Sequence, residues 1–211
     1  MADWPTIASL ATAGGTLVLA GATFAAVRSA NRAARTSERS LMAGLRPLLL
    51  PARLQDPPQK VMWADQHFSH VPGGKAVAEV VDGVIYLAAA VRNAGQGVAV
   101  LHAWYCFAGW RTGADNHPTP EEDFRRLTRD IFVAPGDIGF CQGTIRDPDD
   151  PDRPALLAAV EGHEQLTLDV MYGDNEGGQR SIARFVLAPI QDGYLFSLGR
   201  HWNLDQPNPR R

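Results

Sequence analysis

Residues 76–97 read AVAEVVDGVIYLAAAVRNAGQG, and this run decides the fold. Two apolar stretches, Ala76–Val81 and Val84–Arg92, flank Asp82-Gly83, a two-residue hairpin signal between β-prone segments. Asn93-Ala94-Gly95-Gln96-Gly97 then turns the chain into Val98–Trp110, a long run rich in aromatic and β-branched residues. Three consecutive antiparallel strands are therefore expected from this stretch alone.

Further along, the same alternation of strand and turn continues. Leu127–Val133 and Ile138–Ile145 read as strands around the turn Pro135-Gly136-Asp137. Asp147-Pro148-Asp149-Asp150-Pro151-Asp152 is a stiff acidic loop opening a short helix from about Arg153 to Val160, closed by Gly162. Leu166–Tyr172 and Gln179–Leu187 bracket a Gly/Asp/Asn-rich hairpin loop, and Tyr194–His201 makes a last strand after Asp192-Gly193. On the N-terminal side, Leu48-Leu49-Leu50 lies between two prolines, which suits a short edge strand. Residues 55–75, rich in Pro, Gly, Gln and His, read as a long irregular loop. About eight strands and one short helix predict a mainly β domain, an antiparallel β-sandwich, with an open barrel as the alternative.

The beginning of the chain obeys a different rule. From Trp4 to Val27, 24 residues carry no charge. A hydrocarbon core of ~30 Å needs about 20 apolar helical residues, so this segment is long enough to span one. Asp3 suits the first-turn cap, Pro5 the helix start and Trp4 the lipid–water interface. Arg28, Arg32, Arg35, Arg39 and Arg46 follow, whereas no Lys or Arg precedes the span. The arginine excess predicts an N-terminus outside the cell and the bulk of the chain in the cytoplasm. A secretory signal carries its positive charge before its apolar core, so an uncleaved anchor is expected rather than a cleaved leader. Small residues recur four apart at Ala11/Gly15, Gly21/Ala25 and Ala22/Ala26, a spacing that permits a helix-paired homodimer.

Helix formers continue to Gly44 and Pro47. At about 100° per residue the five arginines fall within a stripe roughly 60° wide. Contact with anionic headgroups is the expected role of Arg28, Arg32, Arg35, Arg39 and Arg46, at about 1 kcal/mol each. The opposite seam, Ala30, Ala34, Ser37, Leu41 and Leu45, offers pairing with a second copy or with the protein's own domain as the alternative. The organisation is thus residues 1–46 for helix and stem, 47–205 for the β-domain and 206–211 for a tail.

Three features together resemble a known group. Arg46-Pro47 follows the helix, Val91-Arg92-Asn93-Ala94-Gly95-Gln96-Gly97 ends a strand, and Tyr172-Gly173-Asp174 leads to Gly178 in a hairpin. The chain is similar in these respects to uncharacterised bacterial single-pass membrane proteins with an N-terminal transmembrane helix, a short helical stem and an immunoglobulin-like β-sandwich. That resemblance implies the fold and the membrane address, and it carries no catalytic residues across.

The formal net charge of −3 argues against a nucleic-acid binder. Cys106 and Cys141 sit in apolar strand-like runs and read as free buried thiols, with one bridge between strands as the alternative. His67, His70 and Asp65 form a possible two-His-one-carboxylate set, but a Pro/Gly-flanked loop does not by itself hold zinc ligands rigidly. His102 alternates with Trp104 and Cys106, which suggests a partly buried histidine. Asp147, Asp149, Asp150 and Asp152 could gather oxygen ligands for Ca²⁺, but a solvated acidic turn with carboxylates at the helix start is the reading expected. The sequence holds no Gly-x-Ser-x-Gly elbow, P-loop or dinucleotide fingerprint, so neither enzymatic activity nor a cofactor is expected. Arg200-His201-Trp202, where the last strand ends, is the candidate partner contact, because Trp and Arg favour interfaces; Trp202 closing one end of the sandwich is the competing reading. The function expected is a membrane-tethered, non-enzymatic module that binds a protein partner beside the lipid bilayer. The alternatives are a metal-dependent module or enzyme, or an envelope or lipid sensor with its sandwich outside the cell.

Overall fold

The computed structural model describes residues 3–111 and 117–206. The side chains of Trp4, Pro5 and Ala11, and all but the first residue of the expected tail, lie outside the described residues. Two units are present, a helix ending at Gly44 and a β-domain beginning at Leu45.

Helix α1 runs unbroken from Trp4 to Gly44, with Asp3 just ahead of it. Its 41 residues extend about 60 Å at 1.5 Å per residue, roughly twice a hydrocarbon core. Charge divides it: the uncharged part reaches Val27, and all four of its arginines lie beyond. Leu17, Val18 and Phe24 are 74%, 73% and 69% exposed. The helix is long and apolar enough to cross a membrane.

The β-domain is mainly antiparallel sheet. Its strands are β1 (Leu49–Pro51), β2 (Gln59–Met62), β3 (Phe68–Val71), β4 (Lys75–Val81), β5 (Val84–Asn93), β6 (Ala99–Ala108), β7 (Arg125–Val133), β8 (Ile138–Ile145), β9 (Leu166–Gly173), β10 (Arg180–Pro189) and β11 (Tyr194–Asn203). Helix α2 (Arg153–Glu161) lies between β8 and β9. Nine strands form one continuous sheet in the order β1-β5-β4-β11-β10-β9-β6-β7, and β8 pairs with β5. The Asp82-Gly83 hairpin forms as expected, with Val81 opposite Val84 and positive φ at both turn residues.

The pairing links these nine strands into one curled sheet. The ladder between its arms pairs Tyr194 and Leu195 of β11 with Ala76 and Lys75 of β4, and the Phe196 N–H extends it to the Gly74 carbonyl at 3.0 Å. On either side of this narrow joint the arms face each other across one core. Ile85, Leu87, Ala89 and Val91 enter it from β5, while Leu168, Val170, Phe185 and Leu187 enter it from β9 and β10. Leu156, Ala159 and Val160 of α2 belong to the same core.

The alternate residues of β5 explain why that strand is apolar on both faces. Tyr86, Ala88 and Ala90 pack with Val61, Trp63 and Val71 in a second cluster. The latter three come from residues 55–75, where β2 and β3 pair from Gln59–Val71 to Met62–Phe68. The segment expected to be an irregular loop is thus a hairpin covering the outer face of β5. Strand β6 adds a second departure, because its register slips between Leu101 and Ala103. A bulge of this kind reverses which side chains face inward. Ala99 and Leu101 point to the core before it, and Trp104 and Cys106 after it. His102 sits at the slip with Nδ1 3.5 Å from the Asp130 carboxylate, partly buried as expected.

Cys106 and Cys141 are both free and buried. Burial pushes the Cys141 thiol up to about 12 and the Cys106 thiol higher still. Neither is a reactive thiolate at neutral pH.

Candidate functional surfaces

Arg28, Arg32, Arg35 and Arg39 lie on the helical ladder, so their stripe holds. Arg46 departs from it. The helix ends at Gly44, and beyond that residue the 100° repeat no longer applies. The Arg46 guanidinium instead donates to both carboxylate oxygens of Asp205, at 3.0 and 2.5 Å, and to Asn203 Oδ1 at 3.2 Å. Arg46 therefore ties the first residues of the β-domain to its last strand, and four arginines remain on the helical stripe.

The C-terminal candidate divides in the same way. Trp202 is 5% exposed and packs with Ala103, Met171 and Ile182. Arg200 lies over the Trp202 ring at 5.7 Å, and His201 Nε2 is 2.8 Å from the Tyr172 hydroxyl. The indole covers the outer face of the long arm and is not offered to a partner. The exposed apolar groups lie elsewhere: Met62 and Phe68 are 55% and 52% exposed and stand opposite one another at the end of the β2–β3 ladder.

The suspected ligand sets point at protein groups. Asp65 receives hydrogen bonds from Arg146 and the Tyr86 hydroxyl, while His67 Nε2 lies 2.9 Å from Glu79. His70 is exposed on β3 opposite Lys60. Asp150 and Asp152 hold the Arg125 guanidinium at 2.7 Å each, and Asp147 accepts the backbone N–H of Asp149. Among the described residues no three His, Cys, Asp or Glu side chains converge as a metal site.

One polar cluster escaped the sequence reading. Arg184 and Asp169 are opposite one another on β10 and β9 and are both fully buried. Arg184 donates from Nε at 2.7 Å and from Nη2 at 2.6 Å to the two carboxylate oxygens. Thr119 also donates to Asp169, at 2.6 Å, and the guanidinium lies over the rings of Phe107 and Trp202. A signal was available in the hairpin itself. Folding 166–187 about its loop places residues summing to 353 opposite each other, and 169 and 184 carry opposite charge.

Two of these ion pairs shape the acid stability of the domain. Hydrogen bonds from Arg146, then from Tyr86, hold the Asp65 carboxyl well below the usual carboxylate range. Burial alone would raise Asp205, but the hydrogen bonds from Arg46 outweigh it and its pKa is lowered. Folded values below the unfolded ones give stabilisation that is complete above about pH 4 and lost as pH falls through the folded values. The unfolding midpoint, followed by circular dichroism, accordingly drops on acidification below about pH 4, and the Asp65→Asn/Asp205→Asn variant shows a shallower drop. Equal acid slopes for the two proteins would remove these carboxylates from the account.

No family model matches the chain, and no curated protein matches it.

Proposed function

We propose that this protein is a membrane-tethered, non-enzymatic binding module whose β-domain meets a protein partner at the cytoplasmic face of the membrane. The observation that carries the reading is α1, a single helix whose uncharged 24 residues are followed on the same axis by Arg28, Arg32, Arg35 and Arg39. Lipid covers such a surface at no cost, whereas water does not. The positive-inside rule orients it with the N-terminus outside. Gly15, Gly21, Ala22, Ala25 and Ala26 are all exposed, which supports self-association through the span as part of the same reading. For the partner, the paired Met62 and Phe68 support a contact surface, since exposed apolar side chains side by side favour protein association. A kinship with immunoglobulin-like sandwiches belongs to this proposal too. It rests on two arms facing across one core and on the Asn93–Gly97 turn.

Protease treatment of intact and opened cells tests the anchor and its direction together. The full-length chain is expected in the membrane fraction, released by detergent alone, with its β-domain cut only after the cells are opened. Recovery from the soluble fraction, or a mature chain beginning beyond Val27, removes the anchor. Digestion in intact cells reverses the topology and with it the class of partner.

A further inference from the structure

Helix α1 carries Arg28, Arg32, Arg35 and Arg39 against a single carboxylate, Glu38. Arg28 stands four residues from Arg32, and Arg35 four from Arg39, so each pair repels along the helix surface. Among the described residues none of the four has an ion pair. Glu38 lies about 90° round the helix from the middle of their stripe. The chain supplies no counter-charge of its own to this face.

Depth decides which arginines act together. The uncharged segment ends at Val27, so Arg28 is the first residue past it. The headgroup layer beyond a hydrocarbon core is roughly 5–8 Å deep on each side. Arg32 lies about 6 Å further along the axis, Arg35 about 10 Å and Arg39 about 16 Å. Helical side chains tilt toward the N-terminus, which here is toward lipid, so Arg32 and Arg35 lean back to the level of Arg28. These three line one shallow groove on the helix with Phe24, Val27 and Asn31. The apolar side chains continue the same line into the span. Leu10, Leu17 and Phe24 fall within about 40° of one another, on the side of the arginines. They are 69%, 74% and 69% exposed. Thr12, Thr16 and Thr23 occupy the far side, their hydroxyls donating to carbonyls one turn back. One face therefore joins a strip of large apolar groups to cations at phosphate depth, the complement of a phospholipid.

Charge selects the kind. Three cations outnumber the single charge of one phosphodiester, and guanidinium meets phosphate through paired hydrogen bonds. Two phosphodiesters on one molecule offset two of the cations for a single loss of translational freedom. We propose that Arg28, Arg32 and Arg35 bind one phospholipid carrying two phosphodiesters, a lipid of the cardiolipin class, with its acyl chains along Phe24 and Leu17. The inference rests on the reading of α1 as a membrane anchor. It goes beyond a general attraction to an anionic surface, because it specifies one lipid per chain on one face.

Native mass spectrometry of the full-length chain in detergent micelles, titrated with single lipids, reads the site directly. Tetraoleoyl cardiolipin is expected to remain as one adduct per chain, bound about tenfold more tightly than dioleoylphosphatidylglycerol. Dioleoylphosphatidylcholine, without net charge, leaves no retained adduct. The variant Arg32→Ala/Ala34→Arg keeps the net charge and helix formers but moves one cation about 160° round the axis. It weakens cardiolipin about fivefold, whereas Arg39→Ala, which loses a charge beyond phosphate depth, stays within about twofold. Equal affinity for the two anionic lipids counted per phosphate overturns the proposal. So does tighter binding of dioleoylphosphatidic acid, unchanged affinity in the relocated-charge variant, or an equal loss in Arg39→Ala. The two readings fail differently. A chain that stays in solution without detergent removes the anchor and this site together, and one that needs detergent yet retains no cardiolipin removes the site alone.

Discussion

Arg184→Met lowers the stability of the β-domain by about 3–5 kcal/mol, because it strands the Asp169 carboxylate in the interior without its counter-charge. No solvent reaches the pair: both side chains are fully buried. The carboxylate accepts from two guanidinium nitrogens and the Thr119 hydroxyl, all within 2.7 Å. Methionine restores the packing against Phe107 and Trp202 but none of the charge. For a domain of this size the thermal midpoint falls by roughly 6–20 °C. Asp169→Leu alone does comparable damage by removing the guanidinium's buried counter-charge. The double variant Arg184→Met/Asp169→Leu recovers most of the loss, since two apolar groups replace a satisfied pair at little net cost. Thermal unfolding of the four proteins measures the coupling between the two residues. Single losses under about 1 kcal/mol, or a double variant as poor as the sum of its singles, would show that the pair does not hold the sheet in this way.

What could be read in advance, and what could not, divides along physical lines. Local signals were legible. Asp82-Gly83 determines its own turn, and prolines 47 and 51 confine Leu49 and Leu50 to a three-residue edge strand on β5. The unbroken helix to Gly44 followed from the absence of breakers before it. Long-range pairings were not legible. The β4–β11 ladder is two residue pairs long, a contact too brief to leave a pattern in either strand. Residues 55–75 were obscured by Pro57, Pro58, Gly73 and Gly74, although Val61 and Val71 inside that composition are fully buried. Helical periodicity puts Arg46 on the arginine stripe, because 18 residues after Arg28 is about five full turns. A period carries no information once the hydrogen-bond ladder has stopped, and Asp205 lies too far along the chain to announce itself. A small cleft between β7 and β8 draws Trp63, Trp104, Arg125 and Thr144 from four separate strands or loops, so only the folded sheet assembles it.

The Asn93–Gly97 turn shows how a motif read as a mere reversal acquires a second role on folding. Asn93 is fully buried and uses its whole amide. Its oxygen accepts from the N–H groups of Leu48 and Gly95, and its nitrogen donates to the carbonyls of Gly97 and Val133. The first residues of the domain lie directly on this turn. A β-carbon on Gly97 would stand 1.8 Å from the Leu45 carbonyl oxygen, and one on Gly95 would stand 2.3 Å from that of Arg46. Both obstacles are backbone, which cannot swing aside as a long side chain does. Gly97→Ala must therefore displace the 45–48 segment, loosening the Leu48–Asn93 bond and the Arg46–Asp205 pair that depend on its position. The expected loss is about 3 kcal/mol, the upper end of the usual cost of overpacking. Gly178→Ala is the matched control, since its nearest contact is the Asp174 side chain at an ordinary 3.8 Å. That variant stays within about 0.5 kcal/mol of the parent. Urea unfolding of the three proteins decides the matter. If Gly97→Ala proves as stable as Gly178→Ala, the 45–48 segment yields freely, and the turn is a reversal and nothing more.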